Sequence, residues 1–307
     1  MTSPSEHAYT IAVVANGAAG RNLDGGKRDW AETLAPLGEV VSVVQPDGKS
    51  FRKTLEEVFA DKRTDLVVAA GGDGTVSACA HYCVETGKAL LPLPFGTFNL
   101  FARAIGIGPD PEPALTALDT YHADRIDVGR VNGQVFLHHV SGGLHTRFVR
   151  FRDAVPYASR LGKMLAGVRA LHRAARTLPR RRMRIEIDGT PLDFRTAGYA
   201  VTVNGLAEAP GQLPVAEDPQ GGRLVVYVTK LNASWQVAWM ILQAMVGRWN
   251  TNDLLEPHPA HKVVLGGRKR VLSVTVDGER RRLEAPVTCE IEQQALTVLR
   301  PSPETPS

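Results

Sequence analysis

Leu66-Val67-Val68-Ala69-Ala70-Gly71-Gly72-Asp73-Gly74-Thr75 is an apolar run ending in a glycine-rich turn, and a stretch with helical spacing, Val76 to Thr86, follows it. A strand that hands over two glycines lets backbone N–H groups approach an oxyanion without a Cβ in the way, and the next helix adds its positive N-terminal end. Asp73 at the centre can hold a metal or orient a phosphate. By itself the run also fits an ordinary tight turn between strand and helix.

Working outward, the same arrangement recurs. Ala89 to Leu93 reads as a strand, and Pro94-Phe95-Gly96-Thr97-Phe98-Asn99 turns into a helix read over Phe98–Ile105. Upstream, Thr10 to Ala15 reads as a strand that leads into Asn16-Gly17-Ala18-Ala19-Gly20. Between them lie a helix around Trp30 to Leu37, a strand from Glu39 to Val44 and a helix around Ser50 to Asp61. Alternating strand and helix signals imply an open, mostly parallel sheet, with its ligand crevice at the carboxyl ends of the strands. The loops at Asn16, Gly71 and Gly96 all belong to that end.

Beyond Asp127 the pattern becomes β-rich. Val128 to His139, Met183 to Ile187, Thr196 to Asn204, Arg223 to Thr229, Val263-Val264, Val271 to Val276 and Val287 to Ile291 read as strands with turn punctuation. The expected division is an α/β nucleotide-binding domain over 1–125 and a β-rich domain over 126–291. In the second, Val274-Thr275-Val276-Asp277-Gly278-Glu279 sets two carboxylates around a turn glycine. Asp-Gly is also a favoured hairpin pair.

Together these blocks resemble the diacylglycerol kinase catalytic-domain family, which spans bacterial lipid kinases, diacylglycerol kinases, and sphingosine and ceramide kinases. Asn16 to Gly20 resembles its first nucleotide loop, Ile126 to Gly133 its interdomain segment, Phe136 to Gly143 its Phe-x-Asn-x-x-Ser-x-Gly stretch and Ala295 to Pro301 its closing strand. The resemblance implies a β-sandwich second domain, a tail from about 292 to 307 returning to the first domain, and an active site in the cleft between domains. It also implies ATP and Mg²⁺ as cofactors and a lipid hydroxyl as acceptor. Asn16, Gly17, Gly20, Gly71, Gly72, Asp73, Gly74, Thr75, Ser77, Thr97 and Asn99 would form the phosphate cradle. Glu279 would accept the proton, with Asp277 orienting it or contacting magnesium, or with the two roles exchanged. Ser77-Ala78, Leu100, His138 and His145 depart from the family pattern. In a loop resembling a bacterial magnesium site, Gly221 or a shifted Asp218 stands where the ligand carboxylate belongs.

Composition narrows the partners. The formal charge is +4, and the three cysteines, Cys79, Cys83 and Cys289, form neither a disulfide framework nor a metal-ligand spacing, which fits a reducing cytoplasm. No secretory signal is read at the start. His138, His139, His145, His258 and His261 lack acid or thiol partners at zinc-ligand spacing. Basic residues concentrate between Arg147 and Arg184 at amphipathic helical spacing, and the uncharged Leu231 to Gly247 carries Trp235 and Trp239. Both fit peripheral contact with an anionic membrane from the cytoplasmic side; the alternatives are a solvated face for the basic stretch and, as the first reading of the Trp-containing one, a core helix. Nucleic-acid binding lacks aromatic interleaving or a recognised motif. A homodimer is left open. The competing readings are an NAD kinase, whose family shares the Gly-Gly-Asp-Gly turn, and a nucleotide- or lipid-binding regulator with reduced or lost turnover.

Overall fold

A computed structural model describes residues 8–16, 28–46, 50–143, 181–208, 215–231, 233, 235–245, 253–266 and 270–302. The basic stretch between Arg147 and Arg180, His145, Gly17 and Gly20 lie outside them. The chain divides into two units, Met1–Val128 with Gln293–Ser307, and Gly129–Glu292. Two strands, β5 (Tyr121–Val131) and β16 (Val287–Pro301), pass through the boundary.

The first unit is built on β1 (Tyr9–Ala15), β2 (Gly38–Val44), β3 (Leu66–Gly71) and β4 (Ala89–Pro94). Their order is β2-β1-β3-β4-β16 and each neighbouring pair is parallel. Every residue of β3 and β4 is buried, as expected where a parallel sheet is covered on both faces and its strands read as unbroken apolar runs. Helix α3 (Asp73–Thr86) buries Val76, Cys79, Ala80 and Cys83, an i, i+3, i+4, i+7 stripe that one helical face presents to a sheet. It stops at Gly87, whose φ of 73° is the left-handed conformation glycine adopts freely, and whose amide closes on the Cys83 carbonyl at 2.8 Å. Burial pushes the Cys79 thiol up to about 12, so the thiols on this face are packing groups.

Four shorter elements complete this unit. Helix α1 (Trp30–Leu34) is capped by Asp29, which accepts from the amides of Ala31 and Glu32. Helix α2 (Phe51–Ala60) buries Leu55, Val58 and Phe59. Phe59 stacks on Tyr82 of α3 with ring centroids 5.1 Å apart. Helix α4 (Leu100–Ala104) and α5 (Pro111–Thr116) follow β4. Helix α4 begins later than its sequence pattern implies, because Asn99 takes the left-handed conformation at φ 51° and ψ 46° and becomes the capping residue.

The second unit contains an antiparallel sheet of order β12-β11-β10-β7-β14-β15, and a second set of strands comprising β13, β8, β9, β6 and the adjoining part of β16. The ranges are β6 (Gln134–Phe136), β7 (His139–Gly143), β8 (Arg181–Ile187), β9 (Thr190–Thr196) and β10 (Gly198–Val203). They continue with β11 (Leu224–Thr229), β12 (Leu255–Ala260), β13 (Lys262–Gly266), β14 (Val271–Val276) and β15 (Glu279–Glu284). Val140, Val201, Val226, Val274 and Val276 from one sheet share a core with Phe136, Ile185, Val263, Leu265 and Val287 from the other, which is sandwich packing. The segment read as one strand from Val128 to His139 is interrupted, because Asn132 and Gly133 at φ 47° and 84° form a hairpin turn.

Candidate active site

Strand order in the first unit reverses between β1 and β3, since β1 pairs with β2 on one side and β3 on the other. Ligands of open α/β sheets bind beyond the carboxyl ends of strands at such a switch point. Asn16 and Gly72 sit there. The Asn16 amide donates to the Ala70 carbonyl at 2.9 Å, and its Nδ2 donates to Thr75 Oγ1, also at 2.9 Å. Thr75 is buried under Gly71, where a Cβ would stand 2.7 Å from the Thr75 Oγ1. Helix α3 starts at Asp73, one residue after its cap Gly72. Gly74, Thr75 and Ser77 therefore belong to the first turns of a helix whose N-terminal amides and dipole favour an anion.

The third loop leans directly on this turn. A Cβ on Gly96 would lie 2.5 Å from the Gly72 Cα and 2.7 Å from Asn99 Oδ1, so only glycine lets the two loops meet. Asn99 is 3% exposed. Its Nδ2 faces the carbonyls of Pro94 at 2.8 Å, Gly96 at 3.1 Å and Pro109 at 3.0 Å. Three acceptors around one atom fix which end is the amide nitrogen. The other end, Oδ1, is buried beside Gly96 and accepts no hydrogen bond. Asp73 joins the loops from the opposite direction, with Oδ1 accepting from Leu100 N at 2.7 Å and Phe101 N at 3.4 Å. It thus caps α4 while beginning α3, a role the sequence reading did not assign. Thr97 is exposed on the same turn.

In the second unit, Asp277 and Gly278 at φ 45° and 84° form the β14–β15 turn. The Asp277 carboxylate accepts three backbone amides, Leu137 at 2.8 Å, His138 at 2.9 Å and His139 at 3.1 Å. Glu279 opens β15, is more than half exposed, and pairs with Arg281 at 3.1 Å. Arg281 thus stands beside Glu279, and backbone amides surround the Asp277 carboxylate. Asp218 is exposed and closes a local turn by accepting the Gln220 amide at 2.8 Å. Among the described residues, no three His, Cys, Asp or Glu side chains are grouped to hold a metal.

Residues 10–131 match the family described as the diacylglycerol kinase catalytic domain. A Pseudomonas aeruginosa protein named "Probable lipid kinase YegS-like" is 43% identical over 109 residues, 35% of each chain. The "Diacylglycerol kinase" of Bacillus subtilis is 38% identical over 147 residues, 45% of this chain and 46% of its own. The chain is therefore matched to less than half the length of either curated relative. A crystal structure from Bacillus anthracis str. Sterne ascribed to the diacylglycerol kinases aligns with a TM-score of 0.73 at 20% identity, covering 97% of this chain and 99% of that one. That likeness speaks for the fold.

Proposed function

We propose, from the match of residues 10–131 to the diacylglycerol kinase catalytic-domain family, an ATP- and Mg²⁺-dependent lipid kinase that transfers the γ-phosphoryl group to a hydroxyl of diacylglycerol or a related lipid. The observation that carries this reading is the crevice of the first unit, where Asn16, Gly71, Gly72, Gly96 and Asn99 converge at a switch point around backbone amides and one buried, unused acceptor. Phosphoryl transfer asks a protein mainly for positioning and charge stabilisation. The α3 N-terminus and the side chains of Thr75, Ser77 and Thr97 would hold phosphate groups, and Asn99 Oδ1, an acceptor, would take a donor group of the nucleotide. Asp73 keeps Oδ1 on the α4 amides, and its carboxylate would help hold a magnesium ion brought by the nucleotide. Magnesium of this kind keeps several waters and needs only one or two carboxylates, and when bound it neutralises phosphate charge. Glu279 would take the proton as the new O–P bond forms, because an alcohol is not ionised beforehand at neutral pH.

A lipid substrate places the reaction at a membrane surface, here assigned to the cytoplasmic face. Helix α6 (Trp235–Met245) carries no charge, buries Val237, and exposes Trp235 at 66% and Trp239 at 47%, one turn apart. Indoles in that position suit the headgroup boundary. No helix among the described residues is long and apolar enough to cross a bilayer. Replacing both Trp with Ala should reduce co-sedimentation with anionic vesicles.

Transfer of label from γ-labelled ATP with Mg²⁺ to diacylglycerol, monoacylglycerol, ceramide, sphingosine or NAD in mixed micelles tests the reading. Labelled lipid, lost in Asp73→Ala and Glu279→Ala, supports it. Labelled NAD, or no product despite ATP binding, overturns it.

A further inference from the structure

The amino ends of β3 and β4 carry a cavity of about 550 Å³, whose lining includes Phe59, Lys62, Thr64, Asp65, Thr86 and Lys88. A volume of this size lies within the range that holds small-molecule ligands. The crevice occupies the carboxyl ends of the same strands, so the two lie at opposite ends of the sheet. Helix α3 spans them, with Asp73 starting it at the crevice and Gly87 closing it at the cavity, 14 residues or about 21 Å along its axis. The frame of the cavity is fixed by the backbone around it. The Asp65 amide donates to the Thr10 carbonyl at 3.0 Å, its Oδ1 accepts the Thr10 amide at 2.8 Å, and its carbonyl accepts the Ala89 amide at 2.8 Å. Phe59 is held by its stack on Tyr82, and Thr86 Oγ1 donates to the Tyr82 carbonyl at 2.7 Å. Walls already in place bind with little reorganisation.

Two groups in the lining keep unused bonding capacity. Lys88 is 9% exposed, and its Nζ donates to the carbonyls of Asp61 at 2.7 Å and Thr64 at 2.5 Å. Those bonds occupy two of the three ammonium protons. Lys88 forms no ion pair among the described residues, while the Asp61 carboxylate pairs with Arg63 at 2.8 Å and Asp65 Oδ1 holds the Thr10 amide. A cation so nearly buried ordinarily keeps an anion beside it, since carbonyls solvate it without neutralising it. Thr64 is 3% exposed, and its Oγ1 has no hydrogen-bond partner among the described residues. A buried hydroxyl left in that state is costly unless something completes it. Asp61 ends α2, and a cation suits a helix C-terminus, which accounts for the two carbonyl bonds of Lys88. It does not account for the third proton or for the Thr64 hydroxyl. Lys62 adds an exposed second ammonium, so the lining sets two cations and a spare hydroxyl against one acid, with an aromatic ring alongside.

We propose that this cavity is a second binding site, for a small organic anion whose phosphate or carboxylate group takes the third Lys88 proton and the Thr64 hydroxyl while its apolar body rests against Phe59. The proposal does not depend on the lipid kinase reading. Inorganic phosphate and benzoate, titrated separately into the full chain and followed by backbone amide resonances, test it. The amides of Thr64, Asp65 and Lys88 should shift saturably. Those of Gly72 to Thr75 report the crevice in the same spectra, so an anion bound there is told apart by its position. Tighter phosphate would identify a phosphorylated ligand, and tighter benzoate a carboxylate. Thr64→Val removes the hydroxyl, keeps the side-chain shape and loses no hydrogen bond within the described residues. Its melting temperature should therefore hold or rise while affinity at the cavity falls by about tenfold. Lys88→Met should lower that affinity at least as much, and if it fails to fold the Thr64→Val comparison decides. Anions that move only the crevice amides would overturn the proposal, as would cavity affinity unchanged in Thr64→Val. A Thr64→Val melting temperature lower by several degrees would overturn it too, because the hydroxyl would then already have a partner in the protein.

Discussion

Asp73 in the first unit and Asp277 in the second are both acids beside a turn glycine, and both direct carboxylate oxygens at backbone amides distant in sequence. Their surroundings differ. Asp73 lies between loops so tightly apposed that a single added carbon at Gly96 collides with main chain, and those loops enclose an acceptor with nothing bonded to it. Asp277 lies in the hairpin turn between β14 and β15 with both oxygens engaged, and the neighbouring group that could react, Glu279, extends into solvent. A preformed crevice binds with little reorganisation, whereas an exposed side chain on a strand gains its precision only when substrate arrives. The same residue type thus ties two loops together in one unit and braces a hairpin in the other.

The sharpest way to break this contrast is Gly96→Ala. The Cβ cannot be accommodated by rotating a side chain, since its first neighbour is the Gly72 Cα. Overpacking of about 1–3 kcal/mol should appear as a lower melting temperature, and ATP affinity measured by calorimetry should fall by about tenfold or more. Wild-type affinity in that variant would mean that the loops need not touch. Asp73→Ala comes next. Loss of the α4 cap should cost about 0.5–2 kcal/mol in urea unfolding, with Asp73→Asn recovering most of it, and an equal loss in both would show that charge rather than capping matters.

A smaller effect belongs to Asp188, in the turn between β8 and β9, and is read by acid titration. Burial raises the Asp188 carboxyl, but the amides of Lys262 and His261 and the nearby His261 ring outweigh it, leaving the folded value below the ordinary one. A depressed folded value stabilises above the unfolded pKa, near 3.9, and that contribution disappears as pH falls through the folded value. Asp188→Asn should therefore flatten the acid limb of a stability profile read by circular dichroism below about pH 4. The smallest expected signal is that of the thiols. Burial lifts Cys79 and Cys289 to about 12, so neither should react with a disulfide reagent at pH 8 until denaturant is added.

Much of the crevice is legible in the sequence because glycine, apolar runs and strand-to-helix alternation are local signals. Gly71, Gly72 and Gly96 end buried strands at the predicted edge, and Asn16 meets Thr75. Contacts set by folding are less visible. Nothing adjacent to Asp73 announces that Leu100 and Phe101 will donate to it, and nothing beside Asp277 announces Leu137 to His139. Strands carrying polar or proline residues also escape notice. Glu279 to Glu284 holds three arginines on a sheet edge, where charge is tolerated and discourages further pairing, and β12 fits Pro257 and Pro259 into the opposite edge. Asn132-Gly133 was readable, since Asn-Gly is among the strongest hairpin signals, yet the apolar residues on either side suggested one continuous strand.

The last strand has a consequence for synthesis. Val298 of β16 sits against Leu90 of β4 in the parallel sheet of the first unit. A ribosome therefore delivers β1 to β4 long before it delivers their neighbour, and the whole second unit is translated in between. During that interval the flank of β4 is an open template of amides and carbonyls, vulnerable to any extended chain nearby. Chaperone demand for this protein should peak early in translation and end only when residues 293–301 clear the exit tunnel.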